Sequence, residues 1–127
     1  MRNILLLLLL LSLFSSCRKD IDLEEGQRFV LPVVANEEEC QRIQQNSIVF
    51  NCFQAIEFLD KNRVSVMVTD ILNMGRYKHR GKYIIIEFDQ AYDVEKKMKL
   101  EIVDNNTLRY KGHDFKRWKG PGGWDFY

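Results

Sequence analysis

From Phe29 onward, apolar side chains return at every second position in short runs separated by turn residues, and that period dictates strands. Phe29, Leu31 and Val33 alternate with Arg28, Val30 and Pro32, the proline arguing for a sheet edge. Ile48, Phe50, Cys52, Gln54, Ile56 and Phe58 carry the alternation to a turn at Asp60-Lys61-Asn62-Arg63. Val64, Val66 and Val68 follow; Asn73-Met74-Gly75 then reads as a break and His79-Arg80-Gly81-Lys82 as a turn. Ile84, Ile86 and Phe88 share one face of the next run, and Met98, Leu100 and Ile102 share one face of the run after it. Turns at Asp104-Asn105-Asn106 and Lys111-Gly112-His113 lead to a last strand from about Asp114 to Trp118. Between the first two runs, Asn36 as N-cap and Glu39 three places on mark a helix of one or two turns, to about Gln45.

Roughly seven or eight short strands with frequent turns predict a mainly β fold, a sandwich or an up-and-down barrel. The consecutive tight turns favour a meander, and closing it removes the edges that an open sheet would expose. The expected architecture is a small antiparallel meander barrel, or else a strongly curled open sheet, with one short N-terminal helix. Eight Phe, five Tyr and two Trp supply apolar material for a core.

The first residues follow a different grammar. Arg2 precedes an apolar run from Ile4 to Phe14, and Ser15-Ser16-Cys17 closes it. Only eleven residues separate Asn3 from Ser15, well short of the roughly 20 that a spanning helix needs. The segment resembles a bacterial lipoprotein signal; ordinary secretion with cleavage near Ser16 is the rival reading. The resemblance implies that residues 1–16 are removed and that Cys17 is the lipid-attachment residue, anchored by several acyl chains. Residues 17–26 are then an acylated cysteine and polar tether, and residues 27–127 a single β domain of a size that folds alone. Arg18-Lys19-Asp20-Ile21-Asp22 partly resembles the signal that sends Bacteroidota lipoproteins to the cell exterior. The expected location is the outer membrane, in the periplasmic leaflet or at the cell surface.

Charge and cysteine usage narrow the function classes. The whole chain has 19 basic and 18 acidic residues, so the basic excess that non-specific nucleic-acid binding requires is missing, and no nucleic-acid partner is expected. In an oxidising compartment, Cys40 and Cys52 are expected to form a disulfide contributing about 3 kcal/mol; two buried thiols are the alternative. Their spacing fits neither a redox pair nor a zinc knuckle, and only His79 and His113 could assist, so no metal or cofactor is expected. No nucleophile elbow, phosphate loop or EF-hand occurs, and the aspartates near strand ends suit turn hydrogen bonds. The reading is therefore that the protein is not an enzyme.

Two features remain. Ala55 to Val64, Gly75-Arg76-Tyr77-Lys78, Tyr83-Ile84-Ile85-Ile86, Leu100-Glu101-Ile102, Thr107-Leu108 and Phe115-Lys116-Arg117 together resemble the hairpin series of small lipocalin-like lipoproteins of Bacteroidota, although the G-x-W of true lipocalins is absent. That resemblance implies a barrel able to hold a small apolar ligand, and it transfers no functional residue. The second feature is the tail, where Trp118, Trp124, Phe126 and Tyr127 surround a Gly/Pro segment. These aromatics either plug one end of the sheet or form a recognition surface. The expected function is that of a membrane-anchored envelope lipoprotein acting as a protein-interaction or structural module, with an envelope or secreted protein as partner; the alternative is binding of a small apolar ligand.

Overall fold

The computed structural model describes residues 20–47, 51–120 and 124–127. The leader, Cys17, and Ile48 and Phe50 of the second predicted run lie outside them. Eight antiparallel strands close into a barrel in sequence order: β1 (Gln27–Pro32), β2 (Phe53–Phe58), β3 (Arg63–Met67), β4 (Leu72–Arg80), β5 (Tyr83–Phe88), β6 (Lys97–Asp104), β7 (Thr107–Tyr110) and β8 (His113–Arg117). The seam pairs Phe29 with Arg117 and Val30 with Lys116. One helix, α1 (Glu37–Asn46), lies between β1 and β2.

Period two becomes inside and outside. Phe29, Ile56, Phe58, Val64, Val66, Ile84, Ile86, Phe88, Met98, Leu100, Ile102, Leu108 and Phe115 form one buried cluster. An eight-stranded barrel is just wide enough for side chains to fill, and here they do. The charged partners in the alternation, such as Arg76, Lys78, Lys97 and Lys99, are exposed, the reverse of a membrane-spanning barrel. No described helix is long and apolar enough to cross a membrane.

Local chemistry sets the hairpins. Lys111 and Gly112 both take positive φ, 48° and 83°, as a two-residue I′ turn between Tyr110 and His113 requires. Asp60 accepts backbone N–H bonds from Asn62 and Arg63 at 3.0 and 2.8 Å, and Asp104 accepts one from Asn106 at 2.8 Å. At α1, Asn36 Oδ1 accepts from Glu39 N at 2.9 Å, while the Glu39 carboxylate reaches back to Ala35 N at 2.8 Å. The helix ends at Asn46, close to the expected end near Gln45 and at nearly three turns instead of one or two, with the expected Cys40–Cys52 disulfide tying it to the approach to β2.

Two readings of the pattern are corrected. Asn73-Met74-Gly75 is no break: β4 runs through it for nine residues, with Gly75 paired to Val64 and to Phe88. The glycine is there because the β5 backbone passes too close for a side chain. From within β4, buried Asn73 holds the β5–β6 connection, its Oδ1 accepting from Tyr92 N at 2.7 Å. In the second run, expected to be a long or interrupted strand, the described Cys52 lies outside β2, which starts at Phe53.

The barrel's two ends are finished differently. Ala91 and Val94, from the β5–β6 connection, pack against the core at one end. At the other, Arg117 is buried over the Phe29 ring and donates to the carbonyls of Asn105 and Asp22 and to Gln27 Oε1. Burial lowers the Arg117 pKa, and the nearby Asp22, Glu24 and Tyr127 oppose that shift. The described part of the expected tether also belongs to this end: Ile21 and Leu23 pack on the core, and Gly26 N donates to Phe58 O at 2.8 Å.

Candidate binding cleft on the barrel wall

Outward positions on β1 and β2 break the polar rule of the exterior. Val30, Phe53 and Ala55 all face out, yet Val30 and Ala55 are buried. What covers them comes from both ends of the domain. After β8 the chain continues along β1, Trp118 N donating to Arg28 O at 2.9 Å, and then returns on itself. Phe126 bridges Trp118, Lys119 N donates to Asp125 O at 3.0 Å, and Tyr127 N donates to Arg117 O at 3.1 Å.

The returning tail delivers its rings to β2. Trp124 lies 4.7 Å and Phe126 5.8 Å from Phe53, centroid to centroid, and Trp124 and Phe126 are 6.3 Å apart. The opposite bank is α1, held there through Cys40. Between the banks lies a cleft of about 340 Å³ with a floor of Val30, Ala55 and Met67. Trp118, Trp124 and Phe126 line it, as do Gln41 and Gln44 of α1.

Its polar features are few. Arg28 stacks 4.9 Å from the Trp118 centroid and pairs with Glu57 at 2.6 Å, so the guanidinium is already neutralised and its plane serves as lining. Asn51 donates from Nδ2 to Met67 Sδ at 3.2 Å. Glu37 and the two glutamines supply hydrogen-bonding groups at the helix side. Large rings, a small apolar floor and a few amides suit recognition by burial with a little polar selection.

Of the candidate residues, Trp118, Trp124, Phe126 and Cys40 line the cleft together, whereas Tyr127 is largely exposed and packs under the Lys119 ammonium at 5.0 Å. The tail thus covers a wall of the barrel and not an end, because its backbone is tied to Arg117 and Arg28 at the seam. The histidines lie elsewhere. His79 is bonded within the β4–β5 turn to Gly81 O, and His113 opens β8. Beside it, Asp114 is engaged by Arg109 at 2.6 and 3.0 Å, which lowers the carboxyl pKa. Among the described residues, no three His, Cys, Asp or Glu groups converge as a metal site would require.

Arg28, Phe53, Ala55 and Met67 were not among the residues that the sequence singles out. The available signal was apolarity on both faces at once: Val30 between Phe29 and Leu31, and Ala55 beside Ile56, mark a strand covered outside as well as inside. In comparisons with known proteins the chain matches no family model, no curated protein and no solved structure.

Proposed function

We propose that this chain is an envelope lipoprotein, anchored in the outer membrane through Cys17, that acts as a non-catalytic protein-interaction module. Its recognition element is the aromatic cleft between α1 and the tail. The observation that carries this reading is the contrast between a barrel interior packed with the chain's own side chains and an outward cleft lined by Trp118, Trp124 and Phe126. Aromatic anchors beside a small apolar floor are the usual centre of a protein contact.

The test has two parts. Produced with its leader in a diderm bacterium, the wild-type chain should sediment with outer membranes and carry acyl mass on a peptide beginning at Cys17, whereas Cys17→Ser should not. Wild-type chain without acyl mass would remove the anchor. A photo-cross-linking residue at Gln41, on the cleft's lip, should then yield a discrete protein adduct that Trp124→Ala abolishes. No adduct, or one indifferent to Trp124, would remove the module.

A second reading keeps the small apolar ligand but moves it from the lumen to the cleft. It is favoured by the cleft's volume of about 340 Å³, which lies within the range of small-molecule pockets. A stoichiometric low-mass adduct in native mass spectrometry, lost on Trp124→Ala, supports this version and not the protein partner.

A further inference from the structure

Half a turn around the barrel from the cleft, the wall made by β4, β5 and β6 has the opposite character. Arg76, Lys78 and Arg80 project outward from β4, and Lys97 projects from β6. Together with Lys96 they border a groove of about 620 Å³. Ile85 lies between the two rows, opposite Lys78 on one side and Lys99 on the other. The groove contains acids too, Glu87 and Asp89.

Several cations are paired, Lys82 with Glu101 at the far end of this same wall among them. Arg28 meets Glu57, Arg63 meets Asp60, Arg109 meets Asp114 and Lys111 meets Glu95. Among the described residues, none of Arg76, Lys78, Arg80, Lys96 and Lys97 has an ion-pair partner within 4.0 Å, even though Glu87 stands in register with both Arg76 and Lys97. With 19 basic and 18 acidic residues overall, these cations are a segregation of charge and not a surplus. Acids gather instead on α1, whose first turn is Glu37, Glu38 and Glu39.

Spacing says what shape of anion fits. Arg76, Lys78 and Arg80 occupy alternate positions of one strand, so the charges recur about every 6.8 Å, and the rows on β4 and β6 are about 9.6 Å apart. An extended polypeptide presents alternate side chains at that same pitch and fits between the rows. A closed barrel offers no free edge for strand addition, so such a segment would lie on the face and be held by its side chains. Glutamate suits the site, since its methylenes can cover Ile85 while its carboxylate reaches the rim.

We propose that the outer face of β4–β6 docks an extended acidic protein segment bearing carboxylates at alternate positions. This surface is separate from the aromatic cleft and does not depend on what the cleft binds.

The test uses the full chain in neutral detergent and two fluorescent peptides of identical composition, one alternating Glu with Thr and one with all its Glu in a single block. Anisotropy at low salt should show the alternating peptide binding several-fold more tightly, with affinity falling as salt rises. Charge reversal by Arg76→Glu with Lys78→Glu should weaken it about tenfold or more at unchanged Tm, and Arg42→Glu on α1 should not. If the reversed variant does not fold, Arg76→Gln with Lys78→Gln carries the same expectation in smaller degree. Equal binding of the two peptides, tighter binding of heparin, single-stranded DNA or anionic vesicles at matched charge, or indifference to the β4 substitutions would each overturn the proposal.

Discussion

A β-carbon added at Gly75 would sit 2.6 Å from the carbonyl oxygen of Glu87 and 3.0 Å from Phe88 Cα, and neither is the end of a side chain that could swing aside. Gly75→Ala should therefore destabilise the fold by about 1–3 kcal/mol, read as a lower urea midpoint at unchanged slope. A mutant with wild-type stability would mean that β5 yields. Asp60 poses a subtler case. Its pKa is held at about 2, against 3.8 ordinarily, by the backbone N–H of Asn62 and by the side chain and N–H of Arg63. Because the folded value is the lower one, the carboxylate contributes stability above pH 3.8, and that contribution is lost as pH falls through about 2. Asp60→Asn should accordingly lower the urea midpoint at pH 6 and converge with wild type near pH 2. A gap that persists undiminished in acid would show that charge is not what the residue supplies.

Among the elements, α1 has the weakest claim to fold by its own means. It is short, its burial rests chiefly on Cys40, and no basic residue opposes the dipole in its last turn. Its anchors are a cap and a covalent bond. Asn36→Ala should cost about 1 kcal/mol, and Cys40→Ser with Cys52→Ser about 3 kcal/mol, in chemical denaturation. The barrel should persist in the second variant, with hydrogen exchange accelerating in Glu37–Asn46 and not in β4–β6; uniform acceleration would show that the helix is integral to the fold. The strands were largely legible in the sequence because a half-buried strand writes its register directly into alternation, as Lys97 to Ile102 does. Gly75 misled because a glycine inside a strand and a glycine that ends one look alike until the neighbouring backbone is in place. Ile21 and Leu23 were hidden among Asp20, Asp22 and Glu24, whose charges read as a tether although the two apolar residues pack on the core. Half of the cleft was foreshadowed by the aromatic tail; its other half depends on which outward positions two distant segments cover, and local period carries no such information.

At the scale of the whole molecule, two walls of the barrel contrast in what covers them. One wall, β8–β1–β2, is overlaid by tail and helix; the other, β4–β6, is bare and basic. Truncation after Lys119 removes Trp124 and Phe126 and uncovers Val30, Phe53 and Ala55, at a cost on the order of 2 kcal/mol measurable in urea. Unchanged stability would show that the tail merely rests on the barrel.

The seam at Phe29 and Arg117 sets the order in which the barrel can be completed. Because β1 and β8 are the first and last strands of the barrel, any partly folded form that has not joined them is a meander with two bare edges. Of all the strand pairs this one joins the residues farthest apart in sequence, so its loop-closure cost is the largest and every hairpin is expected to form before it.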